Sequence, residues 1–182
     1  MKATGIVRRI DDLGRVVVPK EIRRTLRIRE GDPLEIYTDR EGGIVLRKYS
    51  PIGELSQFSK QYAEALAQNT GYIVSITDRD QHIAVAGAGK KDLAKKAISR
   101  QMDILMNQRE SLLAVKGERK FIPITEDGGE NYTAQVIYPI IAEGDAIGTV
   151  ILTTKDDKVR MGEMEMKLAA SAASFLGRQL EQ

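Results

Sequence analysis

Positively charged side chains crowd one short stretch of this sequence, residues 19–27, which reads Pro-Lys-Glu-Ile-Arg-Arg-Thr-Leu-Arg. At about 100° per residue of helix, Ile22 and Leu26 lie about 40° apart and mark the stripe that we expect to be buried. The cations then fall together on an arc about 100° to about 200° away from Ile22. Like charges at this spacing destabilise an isolated helix by about 0.2–0.5 kcal/mol per pair, so the arc favours a polyanionic partner. The arc consists of Lys20, Arg23, Arg24 and Arg27.

The chemistry that such a surface supports is the recognition of a nucleic acid. A guanidinium group can pair with a phosphate, or it can bond a guanine edge through two hydrogen bonds. Arg8, Arg9 and Arg15 flank the turn residues 11–14 and extend the same surface. On the charge pattern alone, a solvated polar face is the alternative interpretation.

The net charge of +2 over 182 residues is unevenly distributed. Residues 1–29 carry nine Lys and Arg against three acidic residues, a net charge of +6. Residues 30–50 and residues 51–182 each carry a net charge of −2. A basic N-terminal segment on a slightly acidic remainder indicates a polyanion that is bound through one end of the chain. A solvated basic surface again stays open as the alternative.

Residue types needed for several kinds of chemistry are missing. The sequence has no cysteine, which excludes disulfides, zinc–cysteine sites and thiol nucleophiles and fits a reducing compartment. The one histidine, His82, could bind a ligand or sense pH, and we favour a hydrogen-bonded surface residue instead. Residues 87–91, Gly-Ala-Gly-Lys-Lys, lack the first glycine and the Ser or Thr of a phosphate-binding loop. We therefore expect no enzyme activity, no cofactor and no metal site.

The N-terminal segment is predicted to consist of short strands around one helix. The helix is expected at 21–26, behind Pro19, which suits a first helical turn. Two of the strands carry apolar residues on both faces, as strands covered on two sides do, and some fifty residues bury too little surface to cover them. We infer an obligate dimer whose two chains share one core, with cover by the rest of the same chain as the alternative. The predicted strands are 5–10, 15–18, 34–37 and 44–46, of which 15–18 and 44–46 are the doubly apolar ones.

The remaining residues are predicted to form a helix-flanked antiparallel sheet, an α+β domain. Apolar residues recur at three- and four-residue steps in 52–69 and in 162–180, which predicts an amphipathic helix in each. Strands are predicted at 72–77, 82–86, 121–124, 133–141 and 146–154, and further helices at 91–97 and 98–108. The predicted domains are 1–50 for the N-terminal domain, 51–56 for a linker leading into a helix, and 57–182 for the C-terminal domain.

The first 50 residues resemble the AbrB family of bacterial transition-state regulators. The resemblance rests on residues 4–19, Thr-Gly-Ile-Val-Arg-Arg-Ile-Asp-Asp-Leu-Gly-Arg-Val-Val-Val-Pro, and on residues 23–26, Arg-Arg-Thr-Leu. It implies an all-β barrel of swapped hairpins in which two chains interleave as a dimer. It also implies that double-stranded DNA is contacted by four arginines, Arg8, Arg15, Arg23 and Arg24. To this predicted DNA-binding set the helix geometry adds Lys20 and Arg27, and the position beside the turn adds Arg9.

The C-terminal part resembles a GAF domain, a small-molecule-sensing relative of PAS domains. Residues 138–141 and 144–152 look like its central hairpin, and 52–69 and 162–180 look like its flanking helices, which often pack between protomers. A homotetramer of two dimers is therefore expected. An unknown small-molecule effector is one expected role, and a scaffold without a ligand is the other; the ligand-binding residues stay unknown. GAF domains that attach bilins or reduce methionine sulfoxide rely on cysteine, which this sequence lacks.

Together the two parts resemble a family of sporulation regulators. The resemblance implies a sequence-specific, DNA-binding transcription regulator that activates and represses forespore genes, with a C-terminal domain for oligomerisation and signal input. The N-terminus lacks the apolar stretch of a signal peptide, and no run could span a membrane, so we expect a cytoplasmic, nucleoid-associated protein. The alternative function is that of an antitoxin, because similar swapped barrels neutralise ribonuclease toxins.

Overall fold

The computed structural model describes residues 6–128 and 131–181. The chain divides into two compact units, Met1–Tyr49, which we call the head, and Ser50–Gln182, which we call the body. Gly5, the first residue of the predicted strand 5–10, lies outside the described residues.

The head contains one short helix and one antiparallel hairpin. The helix is α1 (Lys20–Thr25), and the hairpin pairs β1 (Leu34–Thr38) with β2 (Ile44–Lys48). Asp39 holds the turn between the strands, because its Oδ1 accepts a hydrogen bond from the backbone N–H of Gly43 at 2.6 Å. The helix and the hairpin lie where the sequence predicts them.

Segments 6–10 and 15–18 of the head differ from the prediction. Strands are expected there, yet in the single chain neither segment is part of a β-sheet. A strand needs a neighbouring strand to bond its N–H and C=O groups, and the β1–β2 hairpin pairs only with itself in this chain. Their apolar side chains are exposed, Val7 by 86% and Val17 by 71%. Pro19 is the only buried residue among those described in the head, so the single head has no core.

The body is built on a five-stranded antiparallel sheet. Its strands are β3 (Ile73–Thr77), β4 (His82–Ala86), β5 (Leu112–Val115), β6 (Ala134–Ala142) and β7 (Asp145–Thr154). Their order across the sheet is β4–β3–β7–β6–β5. The long strands β6 and β7 form the central hairpin, with Tyr138 facing Val150. The predicted α+β organisation of this part is thus the one observed.

Helices cover both faces of the sheet. They are α2 (Pro51–Glu54), α3 (Ser56–Thr70), α4 (Lys90–Leu93), α5 (Arg100–Gln108) and α6 (Glu163–Gln179). Residues of α2, α3 and α6 pack into one apolar cluster with the sheet, and residues of α4 and α5 pack into another. The segment 51–56, predicted as a linker, contains α2.

Alternation along the strands divides the core into two layers. In β7, Val150 and Leu152 join the layer beneath α3 and α6, whereas Ile151 joins the layer beneath α5. In β6, Val136 and Ile137 divide in the same way. All five side chains are fully buried. Full burial of such a side chain stabilises the fold by about 1.5–3 kcal/mol, so both layers hold the body together.

Two predicted elements of the body are wrong. The segment 121–124, predicted as a strand, is irregular, because Pro123 has no N–H for a sheet and its carbonyl accepts a hydrogen bond from Ser99 Oγ at 2.6 Å. The edge strand beside β6 is β5 instead, which we did not predict. The helix predicted at 91–97 ends after one turn as α4, and Lys95 beyond it has a φ of +62°.

Gly87 and Gly89 are required by close packing. Gly87 has a φ of +91°, and a Cβ there would lie 2.6 Å from the carbonyl oxygen of Tyr72. A Cβ at Gly89 would lie 2.7 Å from Cδ1 of Ile73. The loop before α4 runs closely against β3, so both glycines of the 87–91 segment have a reason that involves no phosphate.

His82 is a core residue rather than the surface histidine that we favoured. Its side chain is 1% exposed. The Nδ1 atom lies 2.7 Å from Ser75 Oγ and the Nε2 atom 3.3 Å from the carbonyl oxygen of Ile124. A carbonyl oxygen only accepts, so Nε2 carries the proton and Nδ1 accepts from the serine hydroxyl. Burial lowers the pKa of His82 to about 4, which keeps the ring neutral at neutral pH.

The stability of the body is expected to fall on mild acidification because of His82. An unfolded histidine has a pKa of about 6.5, so below that pH the unfolded chain binds a proton that the folded chain excludes. From about pH 7.5 to about pH 5 the free energy of unfolding should drop by about 2 kcal/mol, a loss that continues down to the lowered pKa of His82. Urea unfolding followed by circular dichroism measures it. In His82→Gln the drop should be absent, and a flat profile in the unaltered chain would contradict the assignment.

Candidate nucleic-acid interface

The basic helix α1 is held at both ends by backbone contacts. At its start, the carbonyl oxygen of Pro19 accepts a hydrogen bond from the N–H of Arg23 at 3.0 Å. At its end, Arg27 has a φ of +53°, and the N–H of Ile28 bonds to the carbonyl oxygen of Arg23 at 2.7 Å. A positive φ is uncommon for a residue other than glycine, so the chain leaves α1 through one defined conformation.

A lysine of β2 anchors the end of α1, and sequence reasoning missed it. Lys48 Nζ donates a hydrogen bond to the carbonyl oxygen of Arg27 at 2.8 Å and lies 3.4 Å from the carboxylate of Asp32. Asp32 in turn accepts a hydrogen bond from the N–H of Arg29 at 2.8 Å. The side chains of Lys48 and Asp32 are 23% and 9% exposed, so the pair is largely shielded from water. The turn at 31–33 was visible in the sequence, but nothing there links it to Lys48.

The four cations predicted on the helix differ in exposure. Lys20, Arg24 and Arg27 are exposed, whereas Arg23 is half-buried. The Nε atom of Arg23 is buried without a hydrogen-bond partner among the described residues. A buried donor without an acceptor is unfavourable, and phosphate oxygens and base edges are both acceptors of guanidinium groups. Arg23 is therefore the cation of this helix with the strongest physical need for a partner.

The apolar stripe predicted on α1 is only partly covered. Ile22 is half-buried, but Leu26 is 55% exposed. The prediction that Leu26 is buried is wrong for the single chain, because none of the described elements of the head covers it. Helix α1 therefore presents an apolar side chain and a set of cations to solvent, and these favour different kinds of partner.

The turn at 11–14 is built by Asp11. Its N–H donates to the carbonyl oxygen of Arg15, and its carbonyl oxygen accepts from the N–H of Gly14, both at 3.0 Å. Its Oδ1 accepts from the N–H groups of Leu13 at 3.0 Å and Arg15 at 2.8 Å. Gly14 supplies the left-handed conformation that the turn needs, with a φ of +76°. One aspartate thus reverses the chain between segments 6–10 and 15–18.

Asp11 also holds the side chain of Arg15. The Nε of Arg15 donates a hydrogen bond to Oδ2 of Asp11 at 2.7 Å. The backbone N–H of Arg15, and next its side chain, lower the pKa of Asp11 by stabilising the carboxylate. The side chains of Arg15 and Asp11 are 70% and 38% exposed, so the pair stays open to a ligand from solution. Arg8 and Arg9, on the other side of the turn, are exposed as well.

All seven residues predicted to contact DNA lie in the head, and six of them are exposed. One group shares α1 and its end, and the other lies on the two sides of the Asp11 turn. Planar guanidinium groups match phosphate and base edges, so the exposed arginines of both groups have the chemistry that the sequence analysis expects of a nucleic-acid contact. The contacts themselves stay a prediction for Arg8, Arg9, Arg15, Lys20, Arg23, Arg24 and Arg27.

Within 6–128 and 131–181, no three His, Asp or Glu side chains are close enough together to hold a metal ion. None of the helices in the described part of the chain is long and apolar enough to cross a membrane.

Two family models match this chain. The model described as "Stage V sporulation protein T C-terminal, transcription factor" matches residues 54–181. The model described as "Antidote-toxin recognition MazE, bacterial antitoxin" matches residues 7–54. The two matches meet at Glu54, the last residue of α2, within the body.

Two proteins of Bacillus subtilis (strain 168) are similar to this chain. Stage V sporulation protein T is 54% identical over 182 residues, which is 100% of both chains. Transition state regulatory protein AbrB is 41% identical over 112 residues, which cover 62% of this chain and 97% of AbrB. The AbrB-like class predicted for the head is confirmed.

Among solved structures, this chain is similar to the blue-light absorbing form of the PixJ GAF domain from Thermosynechococcus elongatus. The TM-score is 0.56 at 13% sequence identity, and the match covers 74% of this chain and 89% of that one. At this identity the likeness concerns the fold alone, and it confirms the GAF-like class predicted for the body. With one family model matched across the body and 54% identity over the full length of a relative, the chain belongs to the stage V sporulation protein T family.

Proposed function

We propose that this chain is a sequence-specific, DNA-binding transcription regulator that binds duplex DNA through the arginine-rich face of an interleaved dimer. The observation that carries the proposal is the set of exposed cations around the Asp11 turn and α1, on a head that has no core of its own. The relatives' names agree with it, since they include a transcription factor and a transition state regulator. The family description names no enzyme, and we propose none here.

The dimer supplies the cover that the single head lacks. On the β1–β2 hairpin, Ile36 is 69% exposed and Ile44 is 68% exposed, and Val16 and Leu26 are more than half exposed. Exposed strands and apolar side chains of this extent are stable only when another surface covers them. A second copy offers the same segments, 6–10 and 15–18, as strands for pairing. Two interleaved heads would thereby bury both sets of side chains and double the number of cations that face DNA.

The body supports the assembly of dimers into a tetramer through α3 and α6. Phe58 and Phe175 are 51% and 38% exposed, and Met164 is 71% exposed. Tyr62 stacks on Phe175 with the ring centroids 5.3 Å apart, which joins the two helices into one aromatic surface. Aromatic and methionine side chains are enriched in protein interfaces. Two bodies that meet through this surface would link two dimeric heads.

The body also serves signal input from a small molecule. Gln135 is fully buried, and both its amide atoms lack a hydrogen-bond partner among the described residues. It alternates with Val136 along β6 and so faces the α5 side of the sheet, together with Ile137. A polar effector with a donor and an acceptor would satisfy this amide. No cofactor is required for the proposed function.

The regulated genes are those of sporulation, with forespore genes activated and repressed, and the protein acts in the cytoplasm on the nucleoid. The 54% identity to stage V sporulation protein T supports this proposal. Chromatin footprinting of the full chain in sporulating cells tests it. Occupancy at forespore genes whose transcription changes on deletion is the expected result, and occupancy confined to unrelated genes would contradict it.

An antitoxin is the second candidate function, because the MazE model matches residues 7–54. Against it, the structured body that follows the head occupies Ser50–Gln182. Co-expression with the product of a neighbouring ribonuclease gene decides between them. Neutralisation of such a toxin would favour the antitoxin function. Binding to duplex DNA without neutralisation of the toxin would favour the regulator.

Arg23→Ala is expected to weaken binding to a duplex at least about tenfold while the chain stays dimeric. If the four family arginines of two chains each meet a phosphate, the slope of log affinity against log salt is about −7, and it becomes about −5 in the variant. Fluorescence anisotropy in a series of salt concentrations measures both quantities. Arg40→Ala, an exposed arginine in the β1–β2 turn, is the matched control and should change neither. Equal affinities for Arg23→Ala and the unaltered chain would refute the role of α1.

Phe175→Ser is expected to convert a tetramer into dimers, because it removes the aromatic stack between α3 and α6 from the proposed interface. Sedimentation equilibrium of the full chain measures the mass. Ile104→Ser is the matched control, since Ile104 is 46% exposed on α5, on the opposite side of the sheet. A wild-type chain that is only dimeric, or the same loss of mass in both variants, would disprove this interface.

A further inference from the structure

We propose that Asp11 is a positioning residue for DNA recognition: it orients the guanidinium group of Arg15 toward the duplex and so increases specificity. This inference rests on the proposed function. It concerns a carboxylate that an electrostatic argument alone would count as unfavourable, because it lies in a surface that has to attract phosphates.

The two oxygens of Asp11 have separate tasks. Oδ1 accepts the backbone N–H groups of Leu13 and Arg15 at 3.0 Å and 2.8 Å, which shapes the turn. Oδ2 accepts Nε of Arg15 at 2.7 Å, which fixes the side chain. Backbone and side chain of the same arginine are therefore tied to a single carboxylate four residues earlier in the sequence.

The Nε bond leaves the outer part of the guanidinium group for a ligand. Arginine has five N–H donors, and four of them are on the two Nη atoms. The Arg15 side chain is 70% exposed, so these donors remain accessible. A long flexible side chain loses rotamer freedom when it binds, and a side chain that is already oriented loses less. The negative charge of Asp11 therefore weakens the general attraction to phosphate, but its bond to Nε holds the guanidinium group of Arg15 in one direction.

That exchange predicts opposite effects on two kinds of duplex. Contacts with base edges need the correct direction, whereas attraction to the phosphate backbone depends mainly on charge. Loss of the Nε bond should weaken binding to a preferred sequence. Replacing Asp11 by a neutral residue also removes a negative charge, so the affinity for an unrelated sequence should stay constant or increase.

Asp11→Asn separates positioning from folding of the turn. The asparagine keeps an oxygen for the N–H groups of Leu13 and Arg15, and asparagine favours such turns. It replaces the second oxygen with an NH₂ group, which cannot accept the Nε–H of Arg15. Asp12→Asn is the matched control, because Asp12 is the exposed neighbouring carboxylate and gives the same change of charge.

The experiment is a double-mutant cycle on the full chain with Asp11→Asn, Arg15→Ala and both together. The probes are a duplex that the unaltered chain selects from random-sequence DNA and a scrambled duplex of equal length and composition. Asp11→Asn should lower affinity for the selected duplex about tenfold and leave affinity for the scrambled duplex equal or higher. In the Arg15→Ala background the same change should have less than about a twofold effect. Asp12→Asn should not lower affinity for the selected duplex.

Three outcomes would overturn the proposal. The first is an equal loss of affinity from Asp11→Asn with and without Arg15, which would mark a purely structural role for the turn. The second is a gain in affinity for the selected duplex, which would mark Asp11 as a simple source of repulsion. The third is the same loss in Asp12→Asn. If the unaltered chain selects no sequence and binds neither duplex at low salt, the proposed function itself fails, which is a different result from these three.

Discussion

The head of this protein carries apolar side chains that the described residues of the head do not cover. Val7, Val17, Ile36 and Ile44 are each more than two-thirds exposed in the single chain, while the body has two closed layers of core. A segment of this size cannot offset the cost of ordering its backbone without burying such side chains. We therefore expect the proposed DNA surface to require a second chain, because α1 and the Asp11 turn both adjoin these exposed segments.

Within that constraint, a few polar contacts place the cations. Lys48 and Asp32 fix the end of α1, and Asp11 fixes both the turn and the side chain of Arg15. The Asp11–Arg15 pair is exposed, and exposed ion pairs contribute little to stability, with a median of about 0–1 kcal/mol, so the value of this pair is in geometry. A basic surface without them would still attract DNA through its charge. Recognition of one sequence among many requires that the donors point in fixed directions.

Most of the fold could be predicted from the sequence because local patterns of apolar residues determine most of its helices and strands. Alternation and helical spacing located α3, α6 and the central β6–β7 hairpin, and the head motif predicted the AbrB-like class that the comparisons confirm. The prediction failed where contacts between residues distant in the sequence determine the local conformation. Segment 121–124 is apolar enough for a strand, yet its carbonyl groups serve Ser99 and His82. The sequence also did not reveal that His82 is buried against Ile124 or that Lys48 bonds to Arg27. In each pair the two residues lie more than twenty positions apart in the chain.

The relatives also differ in how much they indicate about this chain. The match to stage V sporulation protein T, at 54% identity, spans the full length of this chain and so includes the head. The GAF-like likeness at 13% identity reaches only the backbone path of the body. Fold does not imply function, and the polar side chains that would choose an effector differ freely under one fold. In this chain the buried amide of Gln135 has a donor and an acceptor without partners among the described residues, and we propose it as the group that an effector would contact.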